Sequence, residues 1–136
     1  MDDRIKISCK KSNLKKVRGF LTNILERHHL SEVKVNPLVL AVDEVCANLI
    51  IHSYSCDPQQ SIEVVVHFES NEKVVFEVTD QAEGFDIRKH EAPDIQEIIK
   101  SKKKGGVGLL LVKRIMDEID FISKNGYSII RLIKYL

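Results

Sequence analysis

A chain of 136 residues, 43% of them hydrophobic and 30% charged, is the size of one ordinary domain and can bury one core. Its 21 Lys and Arg residues against 20 Asp and Glu leave a net charge of +1, so no bulk positive field draws it to nucleic acid or to an anionic membrane. The apolar runs are strand-sized or broken by charge, and Met1-Asp2-Asp3-Arg4 lacks a basic-then-apolar signal pattern, so the expectation is a cytoplasmic chain with no membrane span.

Ile5, Ile7 and Cys9 alternate with polar residues and predict a short edge strand. Asn13 is placed to cap a helix whose apolar positions, Leu14, Val17, Leu21, Ile24 and Leu25, recur at helical spacing up to His28-His29-Leu30. The paired histidines read as a surface helix end, because adjacent helical residues diverge by about 100 degrees and no third metal ligand accompanies them. Asn36-Pro37 offers the next helix a cap and a preset first residue, with Leu38, Ala41, Val42, Val45 and Leu49 on its buried face. Glu44, Asn48 and His52 then fall at i, i+4 and i+8 and line a stripe beside the buried one.

Asp57-Pro58-Gln59-Gln60 breaks the chain, after which Ile62, Val64, Val66 and Phe68 alternate as a strand. Ser70-Asn71-Glu72 turns it into a second strand, Lys73 to Thr79, to give an antiparallel hairpin. Residues 86 to 104 are polar, contain Pro93 and carry only a brief amphipathic stretch at Ile95, Ile98 and Ile99, a composition that suits a mobile connection. Val107 to Met116 reads as a buried helix, and Asn125-Gly126 joins Ile119 to Ser123 with Tyr127 to Tyr135 in a last hairpin. The order β-α-α-β-β-loop-α-β-β predicts a single α+β domain over 1–136, a two-layer sandwich of a mixed, mostly antiparallel sheet covered by helices on one face.

Three cysteines, Cys9, Cys46 and Cys56, make no C-x-x-C pair and their odd number argues against a disulfide scaffold. Cys46, inside an apolar helical pattern, reads as a buried thiol rather than a nucleophile. Gly106-Val107-Gly108-Leu109-Leu110-Leu111 begins like a dinucleotide fingerprint, but Leu111 stands where the third glycine belongs and lysines stand where the preceding strand belongs. The Walker pattern fails as well, since no Gly-Lys-Ser/Thr follows at the required spacing.

Three segments carry the chemistry in combination. Glu44 and Asn48 set a carboxylate and an amide one helical turn apart, suited to a general base and a magnesium ligand. Asp80-Gln81-Ala82-Glu83-Gly84-Phe85 ends an apolar strand in a carboxylate at a turn. Gly105-Gly106-Val107-Gly108-Leu109 puts glycines before an apolar helix, where open N–H groups and the helix dipole favour phosphate. One of Lys100, Lys102, Lys103 and Lys104 is available to neutralise a terminal phosphate.

Together these residues resemble the GHKL ATPase superfamily, the fold of gyrase, Hsp90 and histidine kinases, over residues 37 to 112. Glu44-x-x-x-Asn48 looks like its N box, Asp80-x-Ala82-x-Gly84-Phe85 its first glycine box and Gly106-x-Gly108-Leu109 its second. The run from Glu44 through His52 to Tyr54, and the ending Gly84-Phe85-Asp86, look most like the bacterial anti-sigma-factor serine-protein kinases. The resemblance implies a histidine-kinase-like ATPase fold that uses ATP and Mg²⁺, with Asn48 on the metal, Asp80 accepting from the adenine amino group, and Glu44 as base. It also implies close backbone approach to the nucleotide at Ala82, Gly84 and Phe85 and at Gly105, Gly106, Val107, Gly108 and Leu109, an adenine-side hydroxyl from Ser128, and an ATP lid over residues 87 to 105.

Ala82 departs from the family pattern, since its methyl group stands where glycine permits close approach or positive φ. The implied activity is serine phosphorylation of a STAS-domain anti-anti-sigma protein, with a sigma factor as second partner, a homodimer as the assembly and no direct contact with nucleic acid. A nucleotide-gated binding module without phosphotransfer is the alternative that Ala82 keeps open. A sensor histidine kinase is disfavoured, because the chain has no room for a separate phospho-acceptor domain.

Overall fold

The structure, a computed structural model, describes residues 2–53, 56–80, 106–124 and 127–136. The chain begins with strand β1 (Asp3–Ser8), a 3₁₀ turn (Lys11–Asn13) and helix α1 (Leu14–Arg27). Helix α2 (Glu32–Asn48) runs on into a π turn, Leu49–Ser53. Strands β2 (Ser61–Glu69) and β3 (Lys73–Asp80) come next, then helix α3 (Gly106–Ile115) and strands β4 (Glu118–Lys124) and β5 (Tyr127–Tyr135). The five strands lie in the order β1-β2-β3-β5-β4, and each neighbouring pair is antiparallel.

The α+β expectation therefore holds, and its cause is visible in the register. Val66, Phe76 and Leu132 lie opposite one another across β2, β3 and β5, and Val64, Val78 and Ile130 make the next row. All six are buried against Val17, Leu21 and Ile24 of α1 and Leu38, Val42 and Val45 of α2. The other face of the sheet alternates charge with aliphatic groups, with Arg4 near Glu63 at 3.9 Å and Arg131 near Glu77 at 3.6 Å. One face thus buries a core and the other meets water except at the paired Val75 and Ile133, which are buried there, close to the pattern expected of an antiparallel sheet.

Turn chemistry sets two of the corners. Ser70 and Asn71 take left-handed conformations in succession, φ 51° and 57°, and the Glu72 N–H donates to the Glu69 carbonyl at 2.9 Å. Such a primed turn matches the twist of its flanking strands. At the end of α1, His28 caps the helix and His29 follows at φ 63°, with the His28 ring stacked on Phe68 at 3.7 Å. That pair closes a helix, and no cluster of potential metal ligands occurs among the described residues.

Three local expectations are corrected. Helix α2 starts at Glu32, not at Asn36-Pro37: Ser31 is extended, and its carbonyl accepts from the Lys34 and Val35 N–H groups at 2.9 Å each. Pro37 is therefore inside the helix, and the carbonyl it leaves without a donor belongs to Val33, a residue 83% exposed, where water can substitute. Asn13 stands at the N-cap of α1 but is itself helical, and its Nδ2 instead donates to the Ser8 carbonyl and hydroxyl at 2.9 Å each. A capping side chain needs an extended backbone, which the 3₁₀ turn denies it. Finally, His52 falls in the π turn, so the regular i+8 spacing from Glu44 does not extend to it.

Candidate functional site

Helix α2 presents Glu44 and Asn48 one turn apart, both half-buried. The Asn48 side chain reaches back so that its Nδ2 donates to the Glu44 carbonyl at 2.7 Å. A backbone carbonyl can only accept, so this bond decides which end of the amide faces the helix. The Asn48 Oδ1 is left turned away from that carbonyl, as the oxygen a hard cation would use. Beside them, Asp43 receives Arg18 of α1 at 3.2 Å, which ties the two helices together at the level of Glu44.

Topology brings further candidates to the same end of the molecule. Asp80 ends β3 directly opposite Ser128, near the start of β5, and opposite Ile62, near the start of β2. Asp80 thus continues the row positions of Val74, Phe76 and Val78, where the strand leaves the core. The end of α2 is drawn to this pole by the chain that follows it, since the Cys56 N–H donates to the Ile50 carbonyl at 2.8 Å and the Cys9 N–H to the Gln60 carbonyl at 2.9 Å. Helix α3 begins at Gly106 and finishes beside the far end of β5, where the Asp117 N–H donates to the Ile133 carbonyl at 2.9 Å. Its N-terminus, Gly106-Val107-Gly108-Leu109, therefore belongs to the pole of Asn48, Asp80 and Ser128. Ala82, Gly84, Phe85, Gly105 and the proposed lid at 87 to 105 lie outside the described residues.

This arrangement has the donor types that a magnesium-bound nucleotide requires. An amide oxygen of fixed orientation suits a hard cation, and open N–H groups at the start of a ten-residue helix suit phosphate. Cys46 does not compete for a chemical role. It is fully buried, and burial, aided by the charge of Asp43 and by Cys9, pushes its thiol far above the ordinary range.

Sequence reasoning missed the Arg18–Asp43 pair and the Asn48–Glu44 hydrogen bond. The first joins residues on separate helices and has no local signature; the second is available to any Asn in a helix, which commonly turns to the carbonyl four residues back.

Comparison with known proteins agrees with this architecture. The sequence family described as "Histidine kinase-like ATPase domain" matches residues 7–134, and the chain belongs to that family. ATP is the nucleotide this family implies. Among its relatives is the serine-protein kinase RsbW of Staphylococcus epidermidis, 26% identical over 124 residues that cover 88% of this chain and 77% of the relative. The serine-protein kinase RsbW of Bacillus thuringiensis (strain Al Hakam) is 24% identical over 136 residues, 97% of this chain and 83% of that protein.

Two solved structures share the fold. The RsbU and RsbW domains of Rv1364c from Mycobacterium tuberculosis align with a TM-score of 0.68 and 17% identity, over 98% of this chain and 31% of that longer chain. The SiaB-SiaC complex from Pseudomonas aeruginosa aligns with a TM-score of 0.63 and 14% identity, over 98% of this chain and 89% of that chain. No described helix is long and apolar enough to cross a membrane.

Proposed function

We propose that the chain is an ATP- and Mg²⁺-dependent serine-protein kinase that phosphorylates a STAS-domain anti-anti-sigma protein and, when free of it, holds a sigma factor. The observation that carries the reading is the pairing on α2 of Glu44 with an Asn48 amide fixed by its bond to the Glu44 carbonyl. The names of the RsbW relatives, serine-protein kinases at 24 to 28% identity, support the reaction class. The SiaB-SiaC complex supports the capacity of this fold to hold a protein partner. A homodimer in the cytoplasm belongs to the same reading.

In this reading Asn48 Oδ1 holds the metal, Asp80 with Ser128 holds the adenine side, and the amides at Gly106 to Gly108 receive phosphate. ATP, with Mg²⁺ offsetting the charge on its phosphates, would supply the transferable phosphoryl group and leave as ADP. Glu44 accepts the proton of the attacking serine hydroxyl, a contribution of roughly 10² to 10⁴ in rate for a positioned base. Glu44→Gln should therefore keep ATP binding and lower phosphate transfer by at least about a hundredfold. The assay is labelled-ATP transfer to a purified STAS-domain partner. Full transfer by the Gln variant would remove Glu44 from the reaction.

A second reading, a nucleotide-gated binding module, is favoured by Ala82 in the first glycine box. Wild-type protein that binds ATP and the partner yet yields no phosphoserine over hours at saturating Mg²⁺ would establish it. Ala82→Gly raises nucleotide affinity if the methyl group obstructs the site, and leaves it unchanged if the backbone already accommodates the methyl.

A further inference from the structure

Six large hydrophobic side chains are exposed among the described residues, and three of them, Val33, Tyr135 and Leu136, line one concavity. The six are Val33 and Leu40 of α2, Leu110 and Leu111 of α3, and Tyr135 and Leu136 at the end of β5, and Val33 is 83% exposed. Helices α2 and α3 pack side by side and run in opposite directions, so the start of one meets the end of the other. A concavity of about 320 Å³ opens at that meeting point, with Val33 and Pro37 on one wall, Arg114 on another, and Tyr135 and Leu136 beyond. Leu40 lies one turn after Pro37 and Leu110 one turn before Arg114, so the apolar strip continues along the seam. A second hollow, about 330 Å³, shares Lys34 and Leu136 with the first and reaches His28 and Phe68.

The charged side chains of the lining have one sign. Lys34, Arg114 and Lys134 border the first concavity, and among the described residues no Asp or Glu side chain lines either hollow. The acidic side chains of the neighbouring turn are already engaged. Asp117 accepts from the Tyr135 N–H at 2.7 Å and lies 3.8 Å from Lys134, while Glu118 accepts from the Tyr135 hydroxyl. Lys34 and Arg114 are exposed and carry no ion pair among the described residues.

We propose that this seam docks a protein partner through an acidic amphipathic helix, whose apolar stripe fills the strip between α2 and α3 and whose flanking carboxylates meet Lys34, Arg114 and Lys134. A groove between two antiparallel helices accepts apolar anchors at helical spacing, and charge of one sign around it selects the opposite sign. A second copy of this chain is a poor occupant, because a two-fold contact would set the three cations against their own images. The concavity and its three cations lie at the far pole from Glu44, Asn48 and Asp80, so substituting those cations tests the docking apart from the nucleotide chemistry.

The test uses the whole chain and labelled helical peptides of about 18 residues, five turns. The peptides share one Leu/Ile stripe and differ in carrying Glu or Lys on its flanks, and binding is read by fluorescence anisotropy. The Glu-flanked peptide should bind saturably and at least about tenfold more tightly than the Lys-flanked one, with the preference shrinking as salt rises. Lys34→Glu with Arg114→Glu should abolish or reverse the preference, and Arg114→Gln should halve it or more, with ATP affinity unchanged in each. Equal binding of the two peptides, no saturable binding of the Glu-flanked one, or indifference to both sets of substitutions would overturn the proposal. So would sedimentation showing a dimer that Leu110→Glu dissolves, since the seam would then be an interface between copies.

Discussion

Asn48 owes its orientation to a single 2.7 Å hydrogen bond, and that makes its two halves separable by mutation. Asn48→Ala removes the oxygen as well as the clamp, so Mg²⁺-dependent nucleotide binding and turnover should both be lost. Asn48→Asp keeps an oxygen but sets it against the Glu44 carbonyl, acceptor against acceptor, so the side chain must swing away from its clamp. Calorimetric titration with and without Mg²⁺ should show no metal dependence in the Ala variant and weakened dependence in the Asp variant. Equal dependence in all three proteins would take Asn48 out of the site. Asp80→Asn tests the other side: an amide puts a donor where a carboxylate only accepts, and a lost charge-assisted bond is worth roughly 1.5 to 3 kcal/mol of ATP affinity. Cys46 gives a pH signature. Its folded thiol titrates far above its ordinary value of 9.0 because burial disfavours the thiolate. The unfolded chain therefore releases a proton that the native one keeps, so this contribution to stability is complete below pH 9.0 and falls as pH rises. Urea unfolding at pH 8 and pH 10 should show a smaller alkaline loss in Cys46→Ala than in wild type. At this scale the sequence offers Glu44 and Asn48 as a carboxylate and an amide one turn apart and Asp80 as a carboxylate at a strand end, while Ser128 comes only with the family resemblance. The hydrogen bond that orients Asn48 was not legible, because sequence carries no record of which way an amide turns.

Elements were legible wherever apolar periodicity was clean. The β2 and β3 alternation fixed both strands to within a residue or two, since shifting either by one position would turn Val64 and Phe76 out to water. Phe76 is fully buried in the central strand, and Phe76→Ala should cost about 3 to 5 kcal/mol in urea unfolding. The start of α2 was misread because proline is most at home in the first turn, and Asn36-Pro37 imitates that signature more loudly than Ser31-Glu32 announces the real one. Pro37 thus sits where its ring costs a hydrogen bond, and it is only partly buried. Pro37→Ala should raise stability by about 1 to 2 kcal/mol, the helix's gain less the ring's lost contact. A lowered unfolding midpoint would mean that the ring's packing outweighs the break. The π turn after Asn48 had no signal either, since Leu49-Ile50-Ile51 packs equally well on a regular or a widened turn.

For the whole molecule, the order of elements was enough to specify two layers, because two helices between β1 and the β2–β3 hairpin have only one sheet face to cover. The order of strands was not, since β5 inserts between β3 and β4 by a pairing between distant parts of the chain. That insertion is what sets Ser128 opposite Asp80. Charge is also uneven in a way the net value of +1 hides: from Arg4 to Arg18 the chain has seven cations and no carboxylate, and among the described residues Glu63 and Asp43 from elsewhere pair with the two arginines. Helix α2 crosses the whole body, with Val33 and Pro37 in the far groove and Glu44 and Asn48 at the other pole, about 25 Å of rigid backbone for its 17 residues. A rod that serves two sites obeys a symmetry of free energies. Whatever factor a groove ligand imposes on ATP affinity, ATP must impose on that ligand, and a tenfold factor in either direction is about 1.4 kcal/mol of strain or relief carried along one helix.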